Sequence, residues 1–231
     1  MKKEFVPWCE VDLVWTTPKA EEMIVEMARV SSPKNKRNME TAPKLLRYLI
    51  EHKHWSPFEM ADMCVEINTT RAISPQILRH RSFSFQEFSQ RYASVDLLGN
   101  SPIPHLRRQD KKNRQNSTDD LHETLGKTQL ASYYRRISQL FEDSEHLYKE
   151  MVSAGVAKEC ARSVLPVASP TTMYMKGSLR SWIHYLEVRC DESTQLEHRQ
   201  IAERIKQIFC HQFPVIGEAA FPKKSTGWLG R

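Results

Sequence analysis

Residues 76–92 read Gln76-Ile77-Leu78-Arg79-His80-Arg81-Ser82-Phe83-Ser84-Phe85-Gln86-Glu87-Phe88-Ser89-Gln90-Arg91-Tyr92. Ser74-Pro75 opens a helix just ahead of them, since proline at a first helical position gives up only an N–H that would be unbonded anyway. On that helix Gln76, Arg79 and His80 fall at i, i+3 and i+4 and share one face. Arg79-His80-Arg81 brings two fixed cations and a titratable ring to the helix end. If the second half is also helical, Glu87 and Arg91 become i, i+4 partners. Phe83, Phe85, Phe88 and Tyr92 supply an apolar backing, or a surface for a flat ring. As composition alone this is a surface charge cluster over a packed aromatic stripe, or a platform for single-stranded nucleic acid.

Upstream, Ala61 to Thr69 alternates in the manner of a strand, and Glu10 to Trp15 does so weakly. Thr17-Pro18 reads as the N-cap and first residue of a helix through Ile24, Met27 and Ala28. A second helix spans about Ala42 to His52, with Leu45, Leu46, Leu49 and Ile50 inward. Downstream, residues 99–120 are polar and basic, a loop excursion long enough in a compact domain to signal function or disorder. A long helix follows over about 121–153, with Leu130, Tyr134, Ile137, Phe141, Tyr148 and Met151 as its stripe and Gly155 as its stop. Ala157 to Leu165 is short and helical, and Thr171 to Lys176 can form a strand. Ser178 to Val188 is a helix with Leu179, Trp182, Ile183 and Leu186 inward. Thr194-x-x-Glu197 reads as a capping box for a last helix bearing Ile201, Ile205, Ile208 and Phe209. The class is α+β, helix-rich, with a small and mostly antiparallel sheet.

The chain has 231 residues, 40% of them hydrophobic, enough for one sizeable core; a single domain over 1–231 is the default, though two small ones also fit. No apolar window of about 18 residues occurs, so no membrane span is expected. Met1 to Phe5 holds no apolar stretch suited to a signal peptide, and a cytoplasmic location is expected. The five cysteines, at 9, 64, 160, 190 and 210, form no C-x-x-C pair, which fits reduced thiols rather than a disulfide framework or a zinc site. No metal site is expected. The net charge of +6 points to a basic surface or an anionic partner. Seven glycines give neither G-x-G-x-x-G nor a P-loop. Phosphates would therefore be held by side chains, chiefly arginine with its bidentate donors.

Arg79-His80-Arg81, seven residues, then Ser89 resembles the defining motif of the flavin-dependent thymidylate synthases, as do its extension Ser89-Gln90-Arg91-Tyr92 and the position of Gln76. His54-Trp55-Ser56-Pro57-Phe58-Glu59 resembles that family's H-x-[ST]-P-F-E segment. Ala161-Arg162-Ser163-Val164-Leu165-Pro166 is similar to its A-R-x-x-L-P segment. Ser178 to His184 resembles its flavin-contacting helix start, and Arg189-Cys190-Asp191 through Gln195 and Glu197 its R-x-[AD] turn. The likeness spans about residues 10–212. Many members carry Asn where Ser178 stands, and His or Gln where Ser193 stands.

The resemblance implies an FAD-dependent methyltransferase that reductively methylates dUMP to dTMP. Carbon would come from 5,10-methylenetetrahydrofolate and electrons from NADPH, and the folate would leave as tetrahydrofolate. It implies no nucleic-acid partner and a homotetramer with sites shared between subunits. Arg189 would be catalytic, facing the pyrimidine and stabilising charge that makes uracil C5 nucleophilic. Gln76, Ile77, Leu78, Arg79, Glu87, Phe88, Ser89, Gln90, Arg91, Arg162 and Arg189 are implied around dUMP. His54, Ser56, Arg79, His80, Arg81, Glu87, Ser178, Leu179, Arg180 and His184 are implied around FAD. No Pro-Cys-x pattern occurs, which fits a route without an enzyme-bound cysteine adduct. Ser89 has no evident neighbouring base, so a phosphate contact suits it better than nucleophilic attack. Two rivals are a basic single-stranded nucleic-acid binder, on the strength of the 105–114 loop, and a catalytically inactive homologue.

Overall fold

Met63, Val65, Ile67 and Thr69 alternate with more polar neighbours, and this period of two makes 62–70 the strand β2 (Asp62–Thr70). A computed structural model describes residues 9–222. In it β2 sits between β1 (Glu10–Thr16) and β6 (Pro170–Ser178), and β3 (Ser84–Glu87) closes the sheet in the order β1-β2-β6-β3. All three pairings are antiparallel, with a register irregularity between Leu13 and Trp15.

One face of the sheet is apolar, and helices cover it. These are α1 (Ala20–Ala28), α2 (Ala42–Glu51), α6 (Leu179–Arg189), α7 (Leu196–Gln212) and α8 (Pro214–Ala220). Leu179, Trp182, Ile183 and Leu186 of α6 and Ile201, Ile205 and Phe209 of α7 are fully buried against Met63, Val65, Ile67, Met173 and Met175. Trp182 Nε1 donates to Met63 O at 3.0 Å and ties α6 to β2. Gly177 is required by close approach: a Cβ there would lie 2.4 Å from the Phe83 ring. Among the described residues no helix is long and apolar enough to cross a membrane. All five cysteines are free.

Several local expectations are corrected. Thr17 does not cap α1, because its hydroxyl accepts from Asp62 N at 2.9 Å and closes the β1–β2 end. The helix starts at Ala20, after Lys19 at φ 53°. The 74–80 helix is a short α3 (Ser74–Leu78), so Arg79 and His80 lie in the turn beyond it. Residues 84–87 extend along β6 and are not helical, so Glu87 pairs with Arg71 at 3.1 Å and Arg91 with Glu159 at 3.3 Å. Thr194 makes no capping box: its hydroxyl donates to Val188 O, and Glu197 is taken by Arg107. The long helix α4 (Leu121–Ser153) breaks at Gly126, whose φ of 73° an L side chain rarely adopts. Of its expected stripe Tyr148 alone is fully buried, in a satellite cluster with Val95 and Ala161.

The 99–120 excursion is folded. A two-residue ladder joins β4 (Arg108–Gln109) to β5 (Ser117–Thr118), and α5 (Lys158–Ala161) follows α4. Leu106 N donates to Tyr134 Oη at 3.2 Å, and Ser101 N to Glu145 Oε1 at 2.7 Å, so α4 clamps the excursion from one side.

Candidate active site

The inward residues of α6 leave Arg180, His184 and Glu187 on its outer face at i, i+4 and i+7. Ser178 caps the helix by accepting from Ser181 N. With Trp55, Glu59, Ser82 and Ser181 these residues line a cavity of about 310 Å³. Glu59 accepts from Ser178 Oγ at 2.5 Å and from Arg180 Nη1 at 2.6 Å. The Ser178 hydroxyl, and against partial burial Arg180, hold its carboxyl below the usual range. Ser82 continues the Arg79-His80-Arg81 turn, so that motif borders the cavity.

The other end of α6 carries Arg189, half-buried, whose Nε donates to His80 Nε2 at 2.8 Å. Burial, then the charges of Arg189 and His184, push the His80 ring down to about 4. The His80 ring meets Tyr185 edge-on at 4.8 Å, and Phe83 meets Trp182 at 4.7 Å. Beneath them His198, fully buried, lies 3.0 Å from Tyr185 Oη and 3.3 Å from Gln76 Oε1. Burial and the same arginine push His198 to about 3. Both rings are therefore neutral near pH 7, and the guanidinium is the local cation.

Of the residues expected from the sequence, Gln76, His80 and Arg189 come together through His198 and Tyr185, and Arg180 and His184 line the cavity, with Ser178 joined to it through Glu59. Arg79, Arg81 and Arg162 are exposed and enter no ion pair or side-chain hydrogen bond among the described residues. Ile77 and Leu179 have their side chains in the core. Leu78 and Ser56 are exposed, and His54 is exposed beside Tyr48. Glu87 is held by Arg71 and accepts from Thr171 Oγ1 at 3.0 Å, and the carbonyl of Phe88 accepts from Arg71 at 2.5 Å. Ser89 is exposed, while Gln90 is buried and its Nε2 has no hydrogen-bond partner among the described residues. Arg91 sits against α5 through Glu159, and no hydrogen bond or ion pair among the described residues joins Ser89, Arg91 or Arg162 to Arg189.

His198, Tyr185, Trp55 and Glu59 were not among the expected contacts. His198 left a signal, standing at i, i+3 and i+7 with Ile201 and Ile205 on the buried stripe of α7. Arg107 and Arg108 of the basic loop are neutralised by Glu197 and Asp120, which weakens the case for a nucleic-acid surface. Among the described residues no group of three or more His, Cys, Asp or Glu is placed to hold a metal ion.

The family profile described as "Thymidylate synthase complementing protein" matches residues 12–215. The chain is 51% identical over 201 residues to a "Probable flavin-dependent thymidylate synthase" of Paramecium bursaria Chlorella virus 1, covering 87% of this chain and 90% of that one. It is 51% identical over 199 residues to the "Flavin-dependent thymidylate synthase" of Synechocystis sp., covering 86% and 88%. Among solved structures, a UMP/dUMP methylase, PolB, from Streptomyces cacaoi bound with 5-Br dUMP superimposes with a TM-score of 0.75 at 25% identity, over 91% of this chain and 93% of that one. The chain thus belongs to the thymidylate synthase complementing protein family, that of the flavin-dependent thymidylate synthases.

Proposed function

We propose that this chain, as one domain, methylates dUMP reductively to dTMP with FAD, taking carbon from 5,10-methylenetetrahydrofolate and electrons from NADPH, without a cysteine adduct. The observation that carries the reading is the Arg189–His80 contact, 2.8 Å long, beside the Gln76 amide and on the same helix as the Arg180–His184 cavity.

The residues present fit a flavin nucleotide. Rings of Trp55 and His184 line the cavity, whose volume of about 310 Å³ suits a single ring system. Arg79 and Arg81, exposed and without carboxylate partners among the described residues, offer donors for phosphates outside it. When bound, the flavin supplies the reducing equivalents.

Arg189 holds its guanidinium by Nε and keeps both Nη groups free among the described residues. A cation fixed in this way stabilises negative charge spread over uracil N3, C2 and O2, which makes C5 nucleophilic; such stabilisation is worth roughly 3–4 kcal/mol. His80 accepts the Nε proton and stays neutral, so it orients the arginine without competing for the same charge. Ser89 and Arg162 bind the nucleotide phosphate, and the unpartnered Gln90 Nε2 supports a ligand or neighbouring chain at this segment. Because Arg91 pairs with Glu159 of α5, just ahead of Arg162, while Arg189 bonds His80 at the end of α6, a homotetramer with sites completed between chains accounts for both groups.

Assaying purified protein with FAD, dUMP, methylenetetrahydrofolate and NADPH tests this. Formation of dTMP that stops when any one is omitted is expected. A colourless protein that FAD does not perturb overturns it.

A further inference from the structure

We infer that the Glu197 carboxylate, clamped by Arg107 of the basic excursion, sets which way the Gln76 amide points and so acts as a positioning residue for the pyrimidine. The inference rests on reading Gln76 as a nucleotide contact.

Arg107 grips Glu197 with both terminal nitrogens, at 2.6 and 2.9 Å, and its Nε donates to Ser117 Oγ at 2.8 Å. Both partners of the ion pair are mostly buried, with side chains 11% and 18% exposed. Burial pushes the Glu197 carboxyl up, but the bonds from Arg107 and Gln195 outweigh it and hold it below its ordinary value. The group is thus a carboxylate, which only accepts hydrogen bonds.

Everything downstream follows from that polarity. Gln195 must turn its NH2 toward Glu197, Nε2 to Oε2 at 3.0 Å, and so presents its oxygen to Gln76. Gln76 must answer with its own NH2, Nε2 to Oε1 at 2.6 Å, and so presents its oxygen to His198. His198 must then carry its proton on Nδ1, 3.3 Å away, and leave Nε2 to accept from Tyr185 Oη at 3.0 Å. Reversing either amide sets oxygen against oxygen or N–H against N–H. A glutamine at 197 would remove the bias, because an amide can donate or accept toward Gln195.

The direction matters for a pyrimidine. Uracil places an acceptor at C4 beside N3–H, whereas cytosine places an amino donor there beside a bare N3. An amide locked in one orientation satisfies one of these edges and leaves the other unpaired.

The test uses flavin-loaded Glu197→Gln and Gln195→Leu; Gln195 is exposed and the ion pair survives its loss, so the second variant covers a folding failure of the first. The readouts are the His198 tautomer from imidazole nitrogen NMR, and calorimetric affinities for dUMP and dCMP. The native enzyme is expected to hold the Nδ1–H tautomer and each variant to show a mixture. The preference for dUMP over dCMP is expected to fall about tenfold, the scale of one lost hydrogen bond to a charged network, with flavin content unchanged. An unchanged tautomer in both variants overturns the inference. A mixed tautomer with an unchanged preference leaves the relay in place and overturns instead the placement of Gln76 against the nucleotide, and with it the pyrimidine half of the inference.

Discussion

Arg189 Nε lies 2.8 Å from His80 Nε2, and since an arginine only donates, the histidine nitrogen must be bare. Burial and the charges of Arg189 and His184 move this ring from its ordinary 6.5 to about 4. The folded state thus binds fewer protons than the unfolded one between those values. Stability is whole above about pH 6.5 and is lost as pH falls toward 4. Thermal denaturation midpoints are expected to drop across that window, and His80→Asn to lessen the slope, with His198 supplying the remainder. An equal slope in the variant means that the ring is not the group responsible.

Arg189→Ala is expected to cut dTMP formation by about 100–1,000-fold or more, the scale of losing one preorganised donor. Flavin should remain bound, because Arg189 is not among the residues that line the cavity. Turnover and the flavin spectrum of the purified variant check both halves.

Arg180→Ala separates binding from folding. Its pair with Glu59 is half-exposed, 52% and 40%, so its loss is expected to change unfolding free energy by less than about 1 kcal/mol. Flavin affinity should fall about tenfold or more, as loss of a charged donor implies. Urea melts and a flavin titration distinguish the two effects.

Gly177→Ala is expected to destabilise the fold by about 1–3 kcal/mol, since the new methyl would press on the Phe83 ring. That ring cannot swing away, being packed against Trp182 and Tyr185. Combining the change with Phe83→Leu should cost less than the sum of the single variants, measured by equilibrium unfolding.

Chemistry without a cysteine adduct can be checked residue by residue. Burial pushes Cys9 to about 12 and Cys190 to about 11, and raises Cys64 and Cys210. Thiols so shifted are poor nucleophiles. Cys160 is the exposed one, so Cys160→Ala is expected to keep turnover within about twofold, as a surface change does. A larger loss would assign Cys160 a part in the reaction.

The strands at 10–16, 62–70 and 170–178 and the α6 and α7 stripes were legible because one side of each is buried and the period shows it. Residues 84–87 were not, because Phe85 and Phe88 at i, i+3 fit a helix while Phe83 and Phe85 at i, i+2 fit a strand, and pairing with β6 decides between them. Thr17 and Thr194 show the limit of capping patterns: each hydroxyl found a tertiary partner that a local rule cannot see. In the site, the motif residues were legible by pattern. How they divide, with Arg180 and His184 at the cavity, Arg189 on His80 and Arg91 on α5, was not, nor was the Arg107–Glu197 pair, whose members are 90 positions apart.

α4 reaches well past what it packs on, leaving Leu140 64% exposed and Leu125, Tyr133 and Leu147 more than a third exposed. In the tetramer proposed above another copy would cover such a flank, and the folded state would then draw strength from mass action. Dilution of that assembly would work as a mild denaturant, so a melting point for this protein is to be measured at more than one concentration.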